Sequence, residues 1–259
     1  MITADHVILG ERCASRSGDT TALVCFDRGT CALGAYPMPS KGAEDAVESF
    51  QNFVPPAVTP KLVYTDCSPE LGAAMKSLGW RHDTATPYRP TSNGVAERAV
   101  RTAVDGTRAV LLASGLEHCW WREAILCFAA LYNITHIGPG GVTPYAAVNG
   151  EAFPGFILPF GAQVRYKPRG PLAKTQLKLE DRTRLGIFTG YHTNSGLKWS
   201  HDYYVLDVEQ YVNAGDGQHC HVQRVQEIVV FPQTTFPIKT GELVKNARSP
   251  LELERSRRR

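Results

Sequence analysis

Three carboxylates in the first hundred residues stand where a chain could bring them together. Asp5 lies in the run Ile2–Leu9, Asp66 ends the run KLVYTD, and Glu97 follows the Pro- and Gly-containing stretch 87–94. Singly, each is an ordinary solvated acid. Gathered at one sheet edge they would repel one another if all were ionised, until a proton or a cation neutralised the site. Hard oxygen donors favour Mg²⁺ or Mn²⁺, and two such ions roughly 3.5–4 Å apart can stabilise the entering and leaving oxygens of an in-line displacement. The expected chemistry is phosphodiester transfer with no protein nucleophile. Asp5 would bridge the two ions, and Asp66 and Glu97 would each complete one side.

The elements that must position these acids can be read from periodicity. Residues 2–9 and 20–27 are apolar, β-branched runs around the turn signal Ser17-Gly18-Asp19, which predicts a hairpin, and residues 30–38 offer a third strand. Ala43, Ala46, Val47, Phe50 and Phe53 have the three-four spacing of an amphipathic helix, ended by Pro55-Pro56. Lys61–Asp66 then reads as a short buried strand, and strand, helix, strand predicts a crossover to a parallel neighbour with Asp66 at its C-terminal end. A short helix over Pro69–Leu78, closed by Gly79, and a strand over 80–86 follow. From Val95 a long helix is expected, with Glu97, Arg101, Asp105 and Arg108 on its polar face. The aromatic-rich stretch 117–133 reads as a helix whose stripe packs a core.

Gly138-Pro139-Gly140-Gly141 and Thr143-Pro144 break the helical pattern, and beyond residue 160 short strands alternate with Gly, Pro and Asn. The expected organisation is a core over 1–155, a basic β-rich module over 156–235 and a charged tail over 236–259. The fold class expected is α/β, a mixed sheet flanked by helices followed by a small β-barrel-like module, with strands at Gln163–Lys167, Leu185–Tyr191, Tyr203–Val208 and Glu227–Phe231. The first residues already read as the body of a strand, which suggests a piece of a longer polyprotein.

Composition narrows the function class. With 43% hydrophobic and 20% charged residues the chain is of soluble globular type. The net charge of +3 is too small to argue for nucleic acid, but residues 1–150 carry −2 and residues 151–259 carry +5, so the positive charge lies downstream of the acids. Seven scattered cysteines without a C-x-x-C pair argue against a disulfide framework or zinc ribbon, and no apolar run is long enough for a membrane span. His219-Cys220-His221 invites a metal reading, but neighbours in a strand alternate faces and no second ligand pair has suitable spacing. An intracellular protein is expected.

The strings T-D-x-x-x-E-L at 65–71 and T-P-Y-R-P-T-S-N-G-V-A-E-R at 86–98 resemble the catalytic core of retroviral and copia-type retrotransposon integrases. The resemblance continues through Thr143-Pro144-Tyr145, Leu158-Pro159-Phe160-Gly161 and residues 185–191. It implies a ribonuclease H-like fold, catalytic and metal-binding roles for Asp5, Asp66 and Glu97, Mg²⁺ or Mn²⁺, and joining of element DNA ends to target DNA. It also implies a homo-oligomer within a full integrase, acting in the nucleus on chromosomal DNA. In this sequence Cys67-Ser68 replaces the Asn-Gly that usually follows the second Asp. Asp27 is an alternative first acid, since it too ends a strand; Asp5 is preferred. Candidate nucleic-acid contacts are Tyr88, Arg89 and Asn93 in the loop, Arg101 on the long helix, and Arg165, Lys167, Lys174 and Lys178 in the basic stretch. The competing expectation is a catalytically inactive, nucleic-acid-binding remnant or domesticated module.

Overall fold

The computed structural model describes residues 1–85, 94–169, 182–214 and 220–241. The first sheet contains β1 (Ile2–Ile8), β2 (Thr21–Asp27), β3 (Leu33–Met38), β4 (Val63–Thr65) and β5 (His82–Thr84), in the order β3-β2-β1-β4-β5. β1, β2 and β3 form an antiparallel meander, whereas β4 runs parallel to β1 and β5 parallel to β4. The parallel pairs require crossovers, and the helices α1 (Ala43–Phe53) and α2 (Pro69–Leu78) provide them. Pro69 occupies the first turn of α2, and Gly79 ends it in the left-handed conformation at φ 65°.

Strand alternation sorts this sheet into two apolar faces. Ile2, Ala4, Leu23, Cys25 and Val63 pack with Phe50, Phe53, Leu71 and Met75 of α1 and α2. Val7, Ala22 and Val24 face the other way, against Ala99 and Ala103 of α3 (Gly94–Ser114) and Trp121, Ile125 and Ala129 of α4 (Trp121–Thr135). The result is the ribonuclease H-like mixed sheet with helices on both faces that the sequence predicts. No described helix is long and apolar enough to cross a membrane.

The second sheet is antiparallel and contains β6 (Gln163–Tyr166), β7 (Arg184–Asn194), β8 (Lys198–Asp207), β9 (Val222–Val225) and β10 (Ile228–Val230), in the order β10-β6-β7-β8-β9. Its two edge strands are consecutive in sequence, joined only by Gln226-Glu227. Laid flat, five strands would separate those edges by roughly 19 Å. The link from Val225 to Ile228 spans at most roughly 10 Å. The sheet must therefore curl strongly, although no ladder joins β9 to β10 among the described residues.

One helix serves both sheets. Trp121, Ile125 and Ala129 of α4 face the first, whereas Ala124 and Cys127, with the preceding Trp120, pack with Val164, Tyr166, Phe188, Tyr191 and Val205 of the second. The aromatic stripe predicted as core is thus core on two sides. The stretch expected to be a breaker holds a short helix, α5 (Pro144–Asn149): Thr143 accepts the Ala146 N–H at 3.2 Å, Pro144 sits at the first helical position, and Gly150 closes it at φ 76°. Among the described residues, two further α-helices are α6 (Val208–Ala214) and α7 (Pro237–Thr240).

Candidate metal centre and nucleic-acid surface

The parallel register of β1 and β4 pairs Ile2 with Val63, Thr3 with Tyr64 and Ala4 with Thr65. The next step along both strands sets Asp5 beside Asp66, about 4.8 Å apart in the backbone. Ile2, Ala4 and Val63 point to the α1/α2 side, so Asp5 shares the opposite face with Val7, where α3 packs. Asp66, one residue beyond β4, accepts the Ser68 backbone N–H at 3.1 Å, a turn that starts α2. Thr65 completes the local frame: its hydroxyl donates to the Asp66 carbonyl at 2.7 Å and contacts His82 Nε2 at 2.8 Å.

The electrostatics follow from this geometry. The Asp5 carboxyl is held above the ordinary carboxylate value, first by partial burial and next by the Asp66 charge; Glu97 adds a smaller push in the same direction. The His6 backbone N–H, donating to Asp5 Oδ1 at 2.8 Å, and the nearby Lys41 pull the other way. Lys41 is a charge that sequence reasoning passed over, because a lone lysine before a helix carries no signal. Burial, reinforced by Lys41, pushes the His6 imidazole below its ordinary value, and neither ring nitrogen has a hydrogen-bond partner.

Glu97 lies in the first turn of α3, exposed, between the buried Ala96 and Ala99. Among the described residues, no group of three or more His, Cys, Asp or Glu side chains is close enough to hold a metal ion. The structure therefore brings Asp5 and Asp66 together and leaves Glu97 as a nearby charge on the helix above them. Two adjacent carboxylates, one with raised proton affinity, fit a divalent ion that takes one or two carboxylates and fills its other positions with water and phosphate oxygens. Asp27 is otherwise engaged: its carboxylate accepts the Thr30 hydroxyl at 2.8 Å and the Thr30 and Gly29 backbone N–H groups at 3.1 and 3.3 Å. Burial opposes ionisation there, and these bonds outweigh it, so its proton affinity is lowered.

Of the expected nucleic-acid contacts, Tyr88, Arg89, Asn93, Lys174 and Lys178 lie outside the described residues. Arg101 is exposed one turn beyond Glu97 on α3. Arg165 projects from the outer side of β6, where Val164 and Tyr166 fill the inner side, and the exposed Lys167 follows directly after the strand. Arg165 donates to the Thr183 hydroxyl at 3.0 Å, and Lys167 pairs with Glu227 at 2.9 Å. Of the His-Cys-His stretch, Cys220 is buried and His221 exposed, the alternation expected of neighbours in an extended chain.

By sheet order and helix placement the protein is of the ribonuclease H-like α/β class. Over 118 residues, 44% of its length, the chain is 30% identical to the retrovirus-related Pol polyprotein from transposon TNT 1-94 of Nicotiana tabacum; that match spans 9% of the polyprotein. The chain is thus similar to a retrovirus-related Pol polyprotein and spans less than a tenth of that relative's length. No family model matches it. Among solved structures, it is similar to the catalytic core domain of BIV integrase, with 22% identity, TM-score 0.41, and 56% of this chain and 91% of that chain covered. It is also similar to the HTLV-2 integrase catalytic core domain in complex with magnesium, with 16% identity, TM-score 0.43, and coverage of 56% and 92%. A chain of a simian T-cell lymphotropic virus intasome in complex with PP2A regulatory subunit B56 gamma matches at 16% identity and TM-score 0.47, covering 90% of this chain and 79% of that one.

Proposed function

We propose that this chain carries out divalent-metal-dependent polynucleotidyl transfer, joining the DNA ends of a retroelement to target DNA. The observation that supports the reading is the parallel register of β1 and β4, which pairs Ala4 with Thr65 and so leads Asp5 of β1 and Asp66, the residue after β4, to the same sheet edge, on the face that α3 covers. Asp5 and Asp66 would hold Mg²⁺ or Mn²⁺ through their carboxylate oxygens, and Glu97 would reach the same site from the first turn of α3. Bound there, the metal would activate water or a DNA 3′-hydroxyl and stabilise the departing 3′-oxygen. The partial burial that raises the Asp5 proton affinity also strengthens its attraction for a cation. The surfaces of α3 and β6 would hold the DNA backbone through Arg101, Arg165 and Lys167.

The test is nicking and strand transfer on a duplex carrying a candidate element end, with Mg²⁺ or Mn²⁺ and with chelator. Metal-dependent product that vanishes in Asp66→Asn and Glu97→Gln supports the reading; equal activity in those variants refutes the site. A second reading, an inactive nucleic-acid-binding remnant, is favoured by one observation: among the described residues no group of three or more His, Cys, Asp or Glu side chains could hold a metal ion. It predicts salt-sensitive DNA binding without metal-dependent product.

A further inference from the structure

Arg16 is a charged, largely covered residue where three parts of the chain meet. It lies in the connection between β1 and β2, with its side chain only 12% exposed. Its backbone N–H donates to the Cys119 carbonyl at 2.9 Å, and its guanidinium lies over the Trp120 ring, 4.3 Å from the centroid. One terminal nitrogen donates to Glu123 Oε1 at 2.8 Å, and the other donates to the carbonyl of Cys220, two residues before β9. A single planar fork therefore joins the hairpin that carries Asp5, the start of α4, and the second sheet.

The hairpin end of this link is itself fixed. Ser15 Oγ donates to Asp19 Oδ2 at 2.6 Å, and Arg122 of α4 donates to the same oxygen at 2.6 Å. Leu9 and Gly10 donate to the Thr20 carbonyl, extending the β1–β2 pairing toward this corner. Displacement of the Cys220 end would thus be resisted by a braced loop continuous with β1.

Stability alone does not account for such a group. A buried ion pair is often matched or exceeded by apolar side chains of the same volume. Here the arrangement also leaves Arg16 Nε, Glu123 Oε2 and Trp120 Nε1 buried without hydrogen-bond partners. The apolar contact of α4 with the second sheet already holds the two sheets together. That contact sets the general docking of the two sheets, and a guanidinium bonded to both sides adds a directional restraint to it.

We propose that Arg16 is a positioning residue that restrains the orientation of the second sheet, with Arg165 on its outer side and Lys167 directly after β6, relative to Asp5 and Asp66. Its consequence for the reaction rests on the function proposed above: one DNA backbone can engage both surfaces only if their angle is held. The brace itself does not depend on that reading.

The experiment uses the full chain carrying Arg16→Met with Glu123→Leu, which replaces the pair by apolar groups. Spin labels placed through Asp83→Cys on β5 and Val229→Cys on β10, with the exposed Cys13 and Cys67 replaced by serine, report the distance between the sheets. A broadened distance distribution with a retained thermal transition supports the brace; an unchanged distribution overturns it. In the unlabelled double variant, metal-dependent turnover should fall roughly ten- to a hundredfold and DNA affinity should weaken with it, while Mg²⁺ affinity stays unchanged. Unchanged turnover overturns the positioning role. If the parent chain yields no metal-dependent product, the proposed function fails, and the distance measurement still decides the brace. Should the double variant fail to fold, Arg16→Lys serves in its place: it keeps a charge for Glu123, cannot also reach the Cys220 carbonyl, and should broaden the same distribution.

Discussion

Asp5 and Asp66 follow the last paired residues of two adjacent parallel strands, Ala4 and Thr65, and the charge of Asp66 is felt at Asp5 more strongly than that of Glu97. A strand pair that ends on two like charges is stable only because solvent, protonation or a cation relieves them. That relation makes the site measurable even without substrate.

Without metal, the Asp5 carboxyl should titrate above its ordinary value of 3.8, because burial and then Asp66 favour the protonated form. A raised folded-state value means that the folded chain holds this proton longer than the unfolded chain. The associated stability is fully present below 3.8 and is lost as pH rises through the folded value. Carbon-detected NMR of the carboxyl should show this titration moving down in Asp66→Asn. At pH 7, Mg²⁺ at a hundred times its dissociation constant should stabilise the folded chain by about 2.7 kcal/mol. Asp5→Asn should abolish that gain in a thermal melt; a gain that survives the substitution places the ion elsewhere.

DNA binding should depend on salt through the cations outside the acidic pair. Lys167 and Glu227 are 49% and 69% exposed, so their ion pair is worth at most about 1 kcal/mol and gives way readily to a phosphate. Glu227→Gln should therefore tighten DNA binding, and Lys167→Ala should weaken it. In a fluorescence titration across salt concentrations, Lys167→Ala should reduce the slope of log affinity against log salt by about 0.9. Identical slopes for parent and variant would remove Lys167 from the DNA surface.

The elements that frame the site were legible because their signals are local. Ala46, Val47, Phe50 and Phe53 mark the inner face of α1, and Pro69 and Gly79 mark the ends of α2, all within a few turns of chain. The pairing of Asp5 with Asp66 was not readable as a distance, since it depends on a parallel register between strands separated by a helix. Thr143-Pro144 interrupts the long helical pattern, and a capping Thr, a first-turn Pro and a following Gly150 together form a short helix of their own. β9 is only four residues long, too short for periodicity to mark it, yet it pairs with β8 along its whole length. Arg16 was invisible as a brace because the carbonyl it reaches is 204 residues away.

Gly161 shows how closely the second sheet is built onto the first unit. Its φ is +87°, and a Cβ there would lie 2.2 Å from the Ser114 Cβ and 2.8 Å from the Ser114 Cα at the end of α3. Gly161→Ala should combine backbone strain with a clash against main-chain atoms and lower stability by about 1–3 kcal/mol or more. Gly72→Ala, within α2 and with nothing inside 4 Å of the added methyl, should instead stabilise by about 0.5–1 kcal/mol. Denaturant midpoints for the two variants should move in opposite directions; equal shifts would refute the close approach.

Asn133 ties α4 to the edge of the first sheet by imitating a strand. Among the described residues β3 has no neighbouring strand beyond it, and Asn133 supplies partners there: its Oδ1 accepts the Leu33 N–H at 2.8 Å and its Nδ2 donates to the Leu33 carbonyl at 2.7 Å. The side chain is 2% exposed, so water cannot take over either bond without rearrangement. Asn133→Leu would leave the Leu33 N–H and C=O buried and unpaired, at a cost of about 1–3 kcal/mol for each group. Asn133→Asp keeps the acceptor but sets a carboxylate against the Leu33 carbonyl, and should destabilise increasingly as pH rises through the carboxyl titration. Because α4 packs on both sheets, the loss should appear in hydrogen exchange at β3 and at β7 together. Exchange that quickens at β3 alone would show that α4 keeps its seat without the amide bridge.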